Sequence, residues 1–416
     1  MRAEAVIAEL RALESLRPVL DAVTALSGPY EGVYLVGGTV RDLLLGERSF
    51  DVDIAVEGDA ISFAEALATS LGGRVRTHRT FGTAAVFYGE HGRVDVVTAR
   101  TESYDAPAVL PSVEHAGIHD DLFRRDFTVN AMAVSLREDD LGQLVDPFGG
   151  RADLEARRIR VLHPRSFVDD PTRIFRAVRY ENRLGFRMDE ETLRLAHESV
   201  ETGHVGDLSR ARLREELIAL FGEGHVDHTI VRIHELGLDE AIHAHLAADA
   251  ETVELLGRLT ALDDEYGLGV PPWRLGFAVL ARRLPPDEVL GWLRSLKLRR
   301  RDAELIAGAV RVGPQIAEAL SGRAADPAEV VALAEPYAPD APLFALALVE
   351  LEPIRDYFRR LRGVRLEVTG RDLAGMGVAE SPRVGEILAE LRRRKLNGEL
   401  DGREEELAAA RELIEP

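Results

Sequence analysis

Apolar positions in the first 27 residues recur at Val6, Leu10, Leu13, Leu16 and Leu20, the spacing of a helix with one buried face. Gly28 and Pro29 end that pattern. From 33 to 148 the period alternates between strand and helix. Residues 33–36 and 51–56 predict strands, separated by a glycine turn and a short apolar helix over 40–45. A further helix is predicted over 61–71, closed by Gly72 and Gly73, and a strand pair over 86–88 and 94–98, turned at 90–92. Residues 104–119 contain Pro107 and Pro111 and show no period, which predicts a loop. After Pro147, helical patterning runs almost to the end of the chain, broken by short Pro/Gly interruptions. The pattern therefore predicts an α/β head followed by a long helical remainder, without a repeat of fixed period.

A chain of 416 residues is too long for one ordinary core and predicts two to four domains. Its 46% hydrophobic and 30% charged residues are those of a globular protein. The apolar run at 343–349 is far short of the roughly 20 residues that a membrane span needs. Arg2 and Glu4, with no apolar signal core behind them, argue against export. The absence of cysteine excludes disulfides, thiolate zinc sites and thiol nucleophiles, and fits a cytoplasmic protein. The only lysines, Lys297 and Lys395, do not follow a glycine, which removes the phosphate-binding loop built around a Gly-Lys pair. GxSxG and HExxH are absent.

The net charge of −20 argues against general nucleic-acid binding, yet residues 151–187 hold ten arginines and five carboxylates. That segment carries +5 and leaves −25 for the rest. It is either a local anion site or a solvated arginine-rich helix. The basic runs at 294–301 and 392–395 are likewise RNA contacts or solvated faces. His225, His228, His234, His243 and His245 fit no metal-ligand spacing and read as helix-surface histidines. Glu215 and Glu216 read as structural partners of Arg212 and neighbouring helices.

The chemistry concentrates elsewhere. On a strand, Asp51 and Asp53 share one face, and two carboxylates so placed repel unless a cation lies between them. Oxygen donors of this kind suit Mg²⁺. A lone DxD also occurs as surface carboxylates and in glycosyltransferases. Upstream, the segment 35–46 reads LVGGTVRDLLLG: a strand, two glycines and a helix start, which together offer backbone N–H groups to an anion, with Arg41 adding a charged fork. Asp95 lies in a third apolar strand, as a further carboxylate of the site or a sheet-edge residue.

Farther along, Arg173, Arg176, Arg179 and Arg183 fall within about 120° of arc on a helix, with Ile174, Phe175 and Val178 on another face. Asp170 stands one turn before Arg173. An acceptor beside a donor matches the exocyclic amino group and ring nitrogen shared by cytosine and adenine, and mismatches uracil and guanine.

These segments, taken in order, resemble the class II tRNA nucleotidyltransferases and bacterial poly(A) polymerases of the DNA polymerase beta superfamily, the family of CCA-adding enzymes. The resemblance rests on LVGGTVRDLLLG (35–46) with DVDIAVEG (51–58), RVDVVTARTESY (93–104) and DDLFRRDFTVNAMA (120–133). It continues through DPFGGRADLEARRIRVL (146–162), DDPTRIFRAVRYENRLGF (169–186), SRARLREEL (209–217) and, more weakly, VTGRDLAGMGV (368–378). It implies a DNA polymerase beta-like α/β nucleotidyltransferase head (1–150, catalytic) followed by an all-α neck (151–225, nucleotide selection), body (226–325) and tail (326–416, tRNA binding).

By position, Asp51 and Asp53 match the family's metal ligands and Asp95 its third catalytic carboxylate. Gly38 and Arg41 match triphosphate contacts, and Arg125, Asp126 and Asn130 match nucleotide and ribose contacts. Asp170, Arg173, Arg176 and Arg179 match the neck motif that holds the base and phosphates. The family usually has Glu-Asp where this chain has Asp169-Asp170, a departure on the first carboxylate only. The implied activity is template-independent addition of CMP and/or AMP from CTP/ATP to the 3′ end of tRNA, with two Mg²⁺ ions and release of pyrophosphate. Its partners are tRNA and the nucleotides, with no membrane and no protein partner. Alternatives are A-only or CC-only addition, poly(A) tailing, or a non-catalytic RNA-binding relative. A DxD glycosyltransferase leaves the RRDF and arginine segments without a role.

Overall fold

Helix α1 (Arg17–Leu26) buries Val19, Leu20 and Val23 as one stripe and is the described part of the expected N-terminal helix. The computed structural model describes residues 16–47, 52–79, 82–103, 106, 108–109, 111–223, 226–379 and 381–414. Strand β1 (Gly32–Val36) follows and runs into helix α2 (Gly38–Leu45); strand β2 (Val52–Glu57) leads to helix α3 (Ala60–Ser70). Asp59 caps α3: its Oδ1 accepts from the amides of Ile61 and Ser62 at 3.0 and 3.2 Å. Strands β3 (Arg74–His78), β4 (Thr83–Tyr88) and β5 (Gly92–Thr98) complete one side of the sheet, and β8 (Ala133–Ser135) and β9 (Leu144–Val145) the other.

Among the described residues the sheet has seven strands in the order β3-β4-β5-β2-β1-β8-β9. Only the β2–β5 pairing is parallel, because α3, β3 and β4 intervene and return the chain in the same direction. Alternation divides β2 into Val52, Ile54 and Val56, all buried, and the opposite face of Asp53, Ala55 and Glu57. On that second face Ala55 packs with Val36, Ile118, Leu122, Ala131 and Ala133. The face is thus apolar at its middle, with Asp53 at one end and Glu57 at the other.

Several elements depart from the sequence expectation. Strand β3 reads Arg-Val-Arg-Thr-His and only half-buries Val75 and Thr77, so this edge strand lacks an apolar signal. Within the expected loop 104–119, β7 (Ser112–His115) pairs antiparallel with β6 (Arg100–Ser103), and helix α4 (Ile118–Phe123) begins. Strand β7 is exposed along its length and so shows no alternation. The start of α4 is set from a distance: the Ile118 amide donates to Glu57 Oε1 at 2.5 Å.

The helical part begins inside the same compact unit, which runs through Arg212 and includes Leu236–Ala241. Phe127 forms an isolated antiparallel bridge with Val161, and the Thr128 amide donates to the Arg160 carbonyl at 2.9 Å. Strands β10 (Arg158–Ile159) and β11 (Arg187–Met188) pair in parallel, flanking helix α5 (Thr172–Leu184), which buries Ile174, Phe175, Ala177 and Val178.

The second unit is helical. Its apolar run at 343–349 belongs largely to the buried helix Asp340–Leu348, which packs on Arg300–Leu320. A Cβ at Gly313 would sit 3.0 Å from the Phe344 ring and 3.2 Å from the Ala341 carbonyl, so the glycine sets how closely these helices approach. No described helix is long and apolar enough to cross a membrane. The basic run 392–395 is satisfied internally: Arg392 pairs with Glu335 at 2.7 Å, Arg393 and Arg394 with Glu390 at 2.8 and 3.0 Å, and Lys395 with buried Glu406 at 2.6 Å. All four basic residues of this run thus have acidic partners inside the second unit. His243 lies against His245 and Trp292, with ring centroids 5.8 and 6.3 Å away.

Asp340 is another buried acid of the second unit. Burial pushes its carboxyl up to about 6, opposed by Arg274 and reinforced by Asp302 and Asp263. Arg274 Nε lies 3.3 Å from Asp340 Oδ1 without making a hydrogen bond, and Oδ2 has no partner, so the pairing does not offset the loss of water. Protonation therefore favours the folded state. The contribution is full below the ordinary value of 3.8 and is lost as pH rises through about 6. Asp340→Asn should remove this pH dependence, worth on the order of 2–3 kcal/mol between pH 4 and 8. Denaturant unfolding of both proteins at the two pH values measures it, and identical pH dependence would refute it.

Candidate nucleotide-binding and catalytic site

The parallel register of β2 and β5 sets Asp53 directly opposite Asp95, so their side chains share one face. Arg93, two residues away on the same strand, donates to Asp95 Oδ1 from Nε at 3.2 Å and from Nη2 at 2.9 Å. Two carboxylates in register supply the hard oxygen donors that Mg²⁺ takes, so these residues fit a divalent ion. Among the described residues no group of three or more ligating side chains gathers. Asp51, the other expected ligand, lies outside the described residues.

Strand β1 pairs with β2 on its other side, Leu35 opposite Ile54, so the turn leaving β1 begins beside Asp53. In that turn Gly37 has φ +70°, and a Cβ there would lie 2.6 Å from Arg125 Nη1. The positive φ is what calls for glycine, while a Cβ would also push the end of the Arg125 side chain aside. Gly38 then opens α2.

Arg41, one turn into α2, is 2% exposed rather than free in solvent. Its Nε donates to Asp42 Oδ1 at 2.8 Å and its Nη1 to Asn130 Oδ1 at 2.6 Å. Asn130 Nδ2 donates in turn to Asp126 Oδ1 at 2.9 Å, which the Phe127 amide also reaches at 2.8 Å. Arg176 of α5 grips Asp126 Oδ2 through Nε and Nη2 at 2.9 and 2.5 Å. Burial alone would raise the Asp126 carboxyl, but Arg176, then Asn130, outweigh it and hold it below the ordinary carboxylate range. The RRDF segment and helix α5 therefore meet at one charge.

The remaining predicted residues extend this cluster. Asp170 Oδ1 accepts from the Thr172 amide at 3.0 Å, the Thr172 hydroxyl at 2.6 Å and Arg212 Nη2 at 2.7 Å. Arg173 is buried, giving Nη1 to Ser166 Oγ at 2.8 Å and Nη2 to the Arg124 carbonyl at 2.7 Å. The two thus face different protein partners instead of pairing side chain to side chain. Arg212 also bonds the Ala108 carbonyl at 3.1 Å, so its carboxylate partner is Asp170, not the glutamates 215 and 216. Arg179 is half-buried, and Arg183 approaches Asp42 at 3.9 Å. The arginine ridge thus runs from buried Arg173 through half-buried Arg176 and Arg179 to exposed Arg183.

Sequence reasoning passed over two residues here. Asp121 is fully buried; it accepts from Arg124 Nη2 at 2.7 Å and from Arg125 Nη2 at 2.9 Å, and its carboxyl sits below the ordinary range because these arginines outweigh the effect of burial. Its i,i+3 and i,i+4 spacing to them was a readable signal. Tyr180, four residues after Arg176, lies under the guanidinium of Arg41, 5.1 Å from ring centroid to Cζ.

Residues 33–160 match the model of the "Poly A polymerase head domain", and 185–249 match that of the "Probable RNA and SrmB- binding site of polymerase A". An A-adding tRNA nucleotidyltransferase of Geobacter sulfurreducens is 37% identical over 92% of this chain, which spans only 45% of that protein's length. Another, from Halalkalibacterium halodurans, is 32% identical over 92% of this chain and 88% of its own. The structure of the Thermotoga maritima CCA-adding enzyme complexed with tRNA superposes with a TM-score of 0.80, at 30% identity, over 100% of this chain and 99% of the other. A polymerase head carrying in-register carboxylates beside a glycine turn defines the class, and this chain belongs to the tRNA nucleotidyltransferase family.

Asp121→Ala should lower stability by on the order of 3 kcal/mol, because two arginines lose their buried counter-charge. Denaturant unfolding measures it, and a change under 1 kcal/mol would show that Arg124 and Arg125 are held by other contacts.

Proposed function

We propose that this protein transfers CMP and/or AMP from CTP or ATP to the 3′ end of tRNA and releases pyrophosphate. The observation that carries the reading is the register of Asp53 with Asp95 beside the Gly37 turn. The primer's 3′-oxygen attacks the α-phosphorus, its proton passes to solvent or base, and the bond from that phosphorus to the bridging oxygen breaks, freeing pyrophosphate. Asp53 and Asp95, with Asp51 from the family pattern, would hold Mg²⁺, which when bound supplies Lewis acidity to the 3′-hydroxyl and to the leaving phosphates.

The protein's own groups handle the nucleotide. Gly38 and Arg41 take the triphosphate, Arg125, Asp126 and Asn130 the ribose side, and Arg176 and Arg179 the remaining phosphate and base contacts. Asp170 and Arg173 read the base. Every side-chain hydrogen bond to Asp170 falls on Oδ1, which supports Oδ2 as the acceptor for the amino group of cytosine or adenine. Residues 1–150 serve as catalytic head, 151–225 as neck, 226–325 as body and 326–416 as tail, with tRNA bound by the tail. The reaction belongs to the cytoplasm.

A narrower reading, addition of A alone, is favoured by the two A-adding relatives that align over 92% of this chain. Incubating tRNAs that end at the discriminator base, at C and at CC with CTP or ATP separately decides between them. Extension only of the CC-ended tRNA, and only by ATP, supports A-addition.

Asp53→Ala and Asp95→Ala should each abolish incorporation while leaving thermal unfolding near wild type. Activity within tenfold of wild type in Mg²⁺ for both would sink the metal assignment. Asp170→Ala should cost about 1–3 kcal/mol of discrimination, raising UTP and GTP use relative to CTP and ATP. A uniform slowing of all four nucleotides would instead make Asp170 a brace for the neck helix.

A further inference from the structure

The pocket contains a closed circuit that the assignments above leave open at one member. Arg41 is bonded to Asn130, Asn130 to Asp126 and Asp126 to Arg176. Both arginines then meet the same ring. Arg41 Cζ lies 5.1 Å and Arg176 Cζ 5.8 Å from the centroid of Tyr180, and Arg176 Nη2 also reaches the Tyr180 hydroxyl at 3.4 Å. The ring is itself held edge-on by Phe127, at 5.8 Å and 87°, and Phe127 is completely buried.

We propose that Tyr180 is a positioning residue for the incoming nucleotide: its ring orients the guanidinium groups of Arg41 and Arg176 together, so that triphosphate and ribose contacts form as a unit. The inference rests on the reading of this pocket as the nucleotide site.

The physical argument concerns two neighbouring cations. Each has its own carboxylate, Asp42 for Arg41 and Asp126 for Arg176, and the electron-rich ring is a shared, uncharged neighbour of both. Asp42 holds Arg41 Nε and Nη2, Asn130 holds its Nη1, and Tyr180 lies against the guanidinium, so a phosphate meets Arg41 only through the N–H protons these partners leave. An aliphatic side chain fills the space without attracting either cation, and both arginines then gain rotational freedom that nucleotide binding must remove.

The test is steady-state kinetics on the full chain with CC-ended tRNA and ATP, alongside melting temperatures. Tyr180→Leu and Tyr180→Met should raise the nucleotide KM about tenfold with kcat within about threefold, and Tyr180→Phe, which keeps the ring, should restore KM to within about twofold. In the Tyr180→Leu background, Arg176→Gln should raise KM by less than it does in wild type, since the two share one interaction. Unchanged KM in Leu and Met overturns the proposal. A Phe variant as impaired as Leu also overturns it, because the hydroxyl would then be the active group. Loss of folding in both Leu and Met assigns the ring to the core and equally refutes it. Asp126→Asn is the control on the underlying reading. If it leaves the nucleotide KM unchanged, the pocket assignment fails; if it raises KM while Tyr180→Leu does not, only the role of Tyr180 falls.

Discussion

A carboxylate withdrawn from water must be met by charge and hydrogen bonds, and Asp126 meets that demand by drawing together parts of the chain far apart in sequence. Arg176 comes from 50 residues downstream, Asn130 from the next turn, and Arg41 is tied on through Asn130. An unpaired charge at this depth would cost several kcal/mol, so head and neck residues share one compact unit for an electrostatic reason as well as an apolar one. The apolar part is Phe127 and Phe175, each fully buried. Loss of either half loosens the other.

The carboxylate end of the sheet depends on strand pairing. Asp53 and Asp95 are 42 positions apart, and only a parallel pairing of β2 with β5 in this register brings them opposite each other. A slip by one residue would turn one carboxylate into the apolar layer beneath. The alternation that buries Val52, Ile54 and Val56 against Val94 and Val96 forbids the slip. Core packing on one face thereby sets the spacing of charges on the other.

Charge is handled differently in the second unit. There arginines and glutamates neutralise each other over short spans, as in the pairs between Glu390 and Arg393 or Arg394. Exposed pairs of this kind contribute little to stability. The buried pair of Glu406 with Lys395 is different: the glutamate also accepts from the amides of Glu367 and Val368 at 2.8 Å and so anchors the final helices to the segment before them.

Local pattern alone determined strands β1, β2, β4 and β5, helices α2 and α3 and the helical remainder, because each is written in short-range alternation or helical period; the candidate site residues are marked by the longer motifs of the family resemblance. Alternation placed Asp53 on a strand face, glycines marked the turn before α2, and a helical period put Arg173, Arg176 and Arg179 on one side of α5. Legibility ended where a partner lies far along the chain. Nothing local shows that Arg173 is buried against the Arg124 carbonyl, that Arg212 holds Asp170, or that Arg41 and Arg176 both meet the Tyr180 ring. Strand β7 was equally invisible, since it is exposed throughout and exists only by pairing with β6. Local pattern encodes which face of an element is apolar; which charge meets which is decided when folded elements exclude water from between them.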